Sequence, residues 1–148
     1  MSNPKRILFI CGGNTCRSPM AKVILEEKLK NTGKIDEFLI DSSAYGYPTS
    51  QGASPNAREA IKQLFGEDLL ASHKAKKMMP DLAEQADLIL VMDVGMKEGL
   101  PQNKTWTLKE YAGETGDVAD PFGGSLDTYL KCAKEISSLL EKVLPKLK

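Results

Sequence analysis

The residues best suited to chemistry in this chain lie between Cys11 and Arg17, in the run Cys-Gly-Gly-Asn-Thr-Cys-Arg, followed by Ser18 and Pro19. The thiolate is the reactive form of cysteine, and a cationic, amide-rich surrounding favours it over the thiol. Gly12 and Gly13 open backbone conformations closed to other residues, and Asn14 tolerates the left-handed region better than most. Such a loop, continued through Thr15 and Cys16, can turn several N–H groups inward as an anion nest. A helix starting near Ser18 would add its positive end. Arg17 supplies a planar fork of donors matched to phosphate oxygens, where lysine would act as a point charge. A thiolate at the floor of a phosphate cradle points to in-line attack on phosphorus, a cysteinyl-phosphate, and release of inorganic phosphate by water.

That reaction needs a proton donor for the leaving group. The stretch Asp117-Val118-Ala119-Asp120-Pro121-Phe122 offers one in a loop before the last helix. Asp120 would act as general acid first and general base second. Pro121 stiffens the backbone beside it, and Phe122 would wall the pocket. Other readings of these residues fare worse. Cys11 and Cys16 as metal ligands would need partners, and only Cys132 and His73 remain, far along the chain. No metal or organic cofactor is expected, because the thiolate and Arg17 do the electrostatic work. The Gly-Lys-Ser/Thr ending of a nucleotide-binding P-loop is missing. His73, the only histidine, reads as a hydrogen-bonded structural residue. Tyr45, Tyr47 and Trp106 suit a core edge as well as a pocket wall.

The elements that must position these groups follow from periodicity. Residues 5–10 read as a buried strand, apolar without alternation. Ser18 reads as an N-cap with Pro19 at the first helical position, opening a helix that ends at 31–33. A second strand is expected over residues 38–40, with a loop from 41 to 54. Ala57, Ala60, Ile61 and Leu64 have helical spacing, stopped by Gly66. A short helix over 80–86, a strong strand over 88–92 and a weaker one over 105–108 come next. After a loop over 110–124, a long C-terminal helix carries Leu126, Tyr129, Leu130, Ala133, Ile136, Leu140, Val143, Leu144 and Leu147 on one stripe. Strands apolar throughout and alternating with helices imply an α/β fold, a parallel sheet covered on both faces. In such folds ligands sit beyond the carboxyl ends of the strands, where Cys11 falls.

Composition limits the rest. The 148 residues suit one domain spanning 1–148, with 41% hydrophobic and 27% charged residues. Twenty basic and twenty acidic side chains cancel, so no global field would draw nucleic acid or a membrane surface. Three cysteines, no signal-peptide pattern and no membrane-length apolar run make a reduced, cytoplasmic setting the expectation.

The loop Cys-Gly-Gly-Asn-Thr-Cys-Arg-Ser-Pro resembles the active-site loop of the low-molecular-weight protein tyrosine phosphatases. Ser43-Ala44, the stretch from Ala71 to Lys76, the run from Ala86 to Asp93, and Asp120-Pro121-Phe122 extend the likeness over nearly the whole chain. The resemblance implies a four-stranded parallel sheet with helices on both faces. It makes Cys11 the nucleophile, Arg17 the phosphoryl clamp and Asp120 the acid. It also makes Asn14, Ser18, Ser43 and His73 a hydrogen-bonded support for the loop. Members can close their two loop cysteines into a disulfide, so Cys11 and Cys16 are a candidate oxidative off-switch.

Two departures bear on substrate. Tyrosine phosphatases of the family usually carry a bulky aliphatic residue where this chain has Thr15, and tyrosines where Phe122-Gly123-Gly124 follows Asp-Pro. The residues 13–19, Thr107 to Tyr111 and Gly116 to Ser125 look like the bacterial protein-arginine-phosphatase branch, in which the threonine is associated with phosphoarginine. The expected partners are thus phosphorylated proteins, with phosphoarginine favoured and phosphotyrosine the alternative. An arsenate reductase would need further relay cysteines. A phosphate-binding module without catalysis would need neither Cys11 nor Asp120.

Overall fold

In the computed structural model, which describes residues 5–48 and 51–147, the sheet has four parallel strands. They are β1 (Lys5–Cys11), β2 (Phe38–Ala44), β3 (Leu88–Val91) and β4 (Thr105–Thr107), in the order β2-β1-β3-β4. The helices are α1 (Arg17–Asn31), α2 (Pro55–Phe65), α3 (Pro80–Gln85), α4 (Leu108–Tyr111) and α5 (Leu126–Val143).

Alternation along β1 explains the two cores. Ile7, Phe9 and Cys11 point into the larger one, packed with residues of α1, α2 and α5. Leu8 and Ile10 point the other way, against Ile89, Val91 and Ala83 of α3. With both faces covered, β1 and β3 have no solvent side, hence their unbroken apolar runs. Truncating Phe9, which is fully buried, to alanine would cost about 3–5 kcal/mol.

The α5 stripe buries Tyr129, Ala133, Ile136, Leu140 and Val143 as its spacing requires. The side chain of Ser125 caps its first turn by accepting from Thr128 N–H. Ser54 caps α2 likewise, and Gly66 ends it at φ 79°.

The chain crosses from β1 to β2 on one side and later places β3 on the other side of β1. The carboxyl ends of β1 and β3 therefore flank the reversal point, where open α/β sheets hold ligands. Cys11 ends β1, and Asp93 follows just beyond β3.

Several expected boundaries move. The second strand runs on through Ala44, because Asp41, Ser42 and Ser43 all find side-chain partners while their backbone pairs with Leu8 to Ile10. β3 ends at Val91, one residue early, although Met92 N still donates to Ile10 O. β4 stops at Thr107, which caps α4 in a reciprocal box with Glu110, so the expected loop begins with helix. The first helix starts at Arg17, with Cys16 as its N-cap and no side-chain cap. Ser18 is thus inside the first turn, and its hydroxyl is free for another task.

Candidate active site

That task is to hold the thiol of Cys11. Ser18 Oγ lies 3.0 Å from Cys11 Sγ and accepts a hydrogen bond from Asn14 Nδ2 at 2.8 Å. With a lone pair already engaged, the hydroxyl has its own proton to offer the sulfur. Asn14 Nδ2 also donates to Ser42 Oγ at 3.0 Å, and Asn14 Oδ1 accepts from Lys76 N–H at 3.0 Å. The backbone donor at Lys76 fixes which end of the carboxamide is oxygen. Asn14 is the left-handed residue of the loop, at φ 57°. Its buried side chain makes three hydrogen bonds, which hold a conformation that costs most residues free energy.

Cys11, Gly12 and Gly13 line a cavity of about 230 Å³, closed by Thr15, Cys16 and Arg17 and opening past Asp120 and Phe122. Contrary to the expectation from sequence, neither Gly12 nor Gly13 takes a positive φ, and a Cβ at Gly12 would meet only Met96 Cε at an ordinary 4.0 Å, so the left-handed turn falls to Asn14. Arg17 is buried at the first helical position. Its Nη1 donates to Asp93 Oδ1 at 2.9 Å and to Val118 O at 2.7 Å. Nη2 stands 3.8 Å from Asp120 Oδ2. Burial opposes the charge on Arg17, yet the Asp93 hydrogen bond and the charges of Asp93, Cys11 and Asp120 hold its pKa above the usual arginine value. Its Nε–H is buried without a partner, a donor that a ligand oxygen would satisfy. Asp120 is 55% exposed, with Oδ1 accepting from Phe122 N–H at 3.0 Å; Phe122, 65% exposed, forms the lip.

Deeper in the wall, Cys16 Sγ touches three hydroxyls: Thr15 Oγ1 at 3.6 Å, Ser54 Oγ at 3.6 Å and Tyr129 OH at 3.3 Å. Burial and the Cys16 contact push the Tyr129 phenol up to about 12, so it stays protonated and donates. Burial likewise raises Cys132 to about 12, and it remains an inert thiol beside the Ala119 carbonyl. Cys11, Cys16 and Cys132 are all free.

Two further residues expected to support the loop, Ser43 and His73, lie in different surroundings. Ser43 does not join the loop network; its hydroxyl faces Met78 Sδ at 3.9 Å. Ser42 takes the position instead. Side chains alternate along β2, and Ser42, paired with Phe9, shares the face of α1, whereas Ser43, paired with Ile10, faces the other core. His73 Nε2 donates to the Asn14 carbonyl at 2.8 Å. Burial lowers its pKa below the ordinary histidine value, the Asn14 hydrogen bond opposes this, and Lys22 and Lys76 add to the lowering.

The sequence pattern of the low molecular weight phosphotyrosine protein phosphatase family matches residues 6–148. The chain belongs to this family. It is 36% identical to a protein-arginine-phosphatase of Bacillus subtilis, over 96% of each chain. It is 35% identical to the low molecular weight protein-tyrosine-phosphatase PtpB of Staphylococcus aureus, over 93% of this chain and 96% of that one. Among solved structures, a low molecular weight protein tyrosine phosphatase from T. tengcongensis superposes with a TM-score of 0.89 at 39% identity, covering 97% of this chain and 99% of the other. A cysteine-to-serine mutant of the arginine phosphatase YwlE, with a phosphorylated active-site serine, superposes at 0.86 with 33% identity, covering 96% and 95%.

The family is one of cysteine-based protein phosphatases, and the parallel four-stranded sheet is its fold. Among the described residues, no helix is long and apolar enough to cross a membrane. Sequence reasoning missed two contributors to this phosphatase site. Asp93 had a signal, an acid directly after the strongest strand at the ligand edge. Ser42 had none short of the strand register.

Proposed function

We propose that this phosphatase acts on phosphoarginine in proteins, with Cys11, Arg17 and Asp120 carrying the reaction. The observation that carries the substrate choice is Thr15, buried in the cavity wall with its hydroxyl beside Cys16 rather than an aliphatic branch facing the ligand. A smaller, polar wall suits a guanidino stem, and relatives named as arginine phosphatases support the same choice.

The steps follow from the geometry. Arg17 and the backbone N–H groups of Gly12 to Arg17 hold three phosphoryl oxygens, with Arg17 Nε–H gaining the acceptor it lacks. Ser18 and Asn14 stabilise the Cys11 thiolate, which attacks phosphorus on the side opposite the leaving nitrogen. The P–S bond forms, the P–N bond breaks, and Asp120 at the mouth gives its proton to the departing guanidino nitrogen. Water then attacks the cysteinyl-phosphate while Asp120 takes a proton, the P–S bond breaks, and inorganic phosphate leaves. Asn14, Ser18, Ser42 and His73 position the loop. Cys16, within the same cavity, is the partner for a disulfide after peroxide oxidises Cys11 to a sulfenic acid, with water as the leaving group. Free thiols throughout suit a reducing cytoplasm.

Phe122 favours a second reading. An exposed ring at the lip of the cavity can stack on a phenyl group, as phosphotyrosine would require. The two separate by turnover of matched phosphoarginine and phosphotyrosine peptides, wild type against Thr15→Ile. Selectivity for phosphoarginine that falls by tenfold or more in the variant, about 1.4 kcal/mol, is the expected result. Selectivity for phosphotyrosine in both proteins would assign the chain to tyrosine.

A further inference from the structure

One side chain away from the catalytic loop lies a second cavity, of about 220 Å³, walled in part by Ser42, His73 and Lys76. These are the same residues that hold Asn14. Lys22 from α1 and Lys74 and Lys76 from the segment beside β2 line it. The one carboxylate in its lining is Asp41 of β2, which Lys76 Nζ already engages at 2.7 Å. Lys22 reaches outward to Glu26 at 3.4 Å. Lys74 has no ion-pair partner among the described residues. Ser42 and Ser72 add hydroxyls.

Asp41 and Glu26 offset the charges of Lys76 and Lys22, which leaves the charge of Lys74 without a counter-ion among the described residues. The lysines register at His73: after burial and the opposing hydrogen bond to Asn14, Lys22 and Lys76 are what hold its proton affinity down, against a weaker pull from Asp41. His73 Nε2 is committed to the Asn14 carbonyl, while Nδ1 has no hydrogen-bond partner among the described residues. The cavity thus offers ammonium donors, hydroxyls and a free imidazole nitrogen, in a volume close to the 230 Å³ of the catalytic pocket.

We propose that this cavity is a second oxyanion site, one that takes inorganic phosphate or a phosphate monoester. An anion there offsets the lysine charges and favours the imidazolium form of His73. Protonated at both nitrogens, His73 presents Nδ1–H to the anion and keeps Nε2–H on the Asn14 carbonyl. Occupancy is thereby coupled to the residue that organises the catalytic loop. It requires no turnover, so mutation separates the two sites.

A chain with a single histidine gives a single imidazole resonance, which makes the test direct. The His73 titration is followed by NMR with and without inorganic phosphate, at ionic strength matched with chloride. It is run on wild type, on Lys22→Gln/Lys74→Gln, and on Arg17→Ala, which disables the catalytic cradle. Phosphate should raise the His73 pKa by about one unit in wild type and in Arg17→Ala. The shift should vanish in the double lysine variant, whose inhibition by phosphate in the turnover assay stays unchanged. No shift in wild type, or an equal shift from chloride, would overturn the proposal. So would a shift lost in Arg17→Ala and kept in the lysine variant, which would place phosphate in the catalytic cavity alone. If Arg17→Ala does not fold, the lysine variant decides: loss of the shift supports the site and retention refutes it.

Discussion

Removing Asp93 tests whether Arg17 is held or merely nearby. Arg17 is buried and directs Nη1 at two acceptors, Asp93 Oδ1 and Val118 O. A hydrogen bond between charged groups contributes about 1.5–3 kcal/mol net. The Asp93 side chain is 34% exposed, so solvent screening reduces this to about 1–2 kcal/mol. Asp93→Asn keeps an acceptor and removes the charge, and should lie at the lower end; Asp93→Ala removes both. For a chain of this length, each 1 kcal/mol moves Tm by about 2–4 °C, so the alanine variant should melt about 2–8 °C lower. The guanidinium, left with Val118 O and the distant Asp120, should wander from the cradle. The expected loss in kcat/KM is about tenfold for asparagine and more for alanine, with phosphate inhibition weakening in parallel. Thermal melts, turnover and phosphate inhibition on the same preparations give all three. An alanine variant with unchanged turnover and phosphate affinity would refute the claim that Asp93 positions Arg17, whatever its Tm.

Ser42→Ala should lose about 1 kcal/mol of stability and slow turnover, because it removes an acceptor from buried Asn14. Ser43→Ala forfeits only a long contact to sulfur and should be close to wild type; the reverse order would mean the strand register has been misread. His73 predicts a pH dependence of stability. Its folded pKa lies below the unfolded 6.5, so the folded state binds fewer protons, and its contribution is complete above 6.5 and declines as pH falls from there to the folded value. Denaturation midpoints compared at neutral pH and below 6.5 should converge in His73→Gln relative to wild type, and an unaltered slope would exclude His73 as the source.

Much of the site was legible because its signals are local. Cys11 through Arg17 sit on consecutive positions, and β1, β3 and α5 announce themselves by unbroken or periodic apolar residues. What escaped depends on tertiary pairing. The run Asp41-Ser42-Ser43 looks like a loop until it is laid beside β1, which supplies both its backbone partners and the two faces that send Ser42 and Ser43 apart. Ser18-Pro19 reads as a helix cap by composition, yet the helix begins two residues sooner, and the thiol and Asn14 claim the hydroxyl. The box of Thr107 and Glu110 was written in the sequence three residues apart and marks the end of β4. Asp93 stands directly after the strongest strand in the sequence, and the strand order then brings that end of β3 beside the end of β1.

The central claim, that the phosphoryl group passes to Cys11, is tested most directly by trapping it. Asp120→Asn, which slows the water step as well as the first, is mixed with a phosphoarginine peptide, quenched at a series of times through turnover and digested, and the fragment holding Cys11 is weighed. The expected result is the added mass of one phosphoryl group on Cys11, absent in Cys11→Ala. Turnover with no phosphoryl on Cys11, or undiminished turnover in Cys11→Ala, would contradict it.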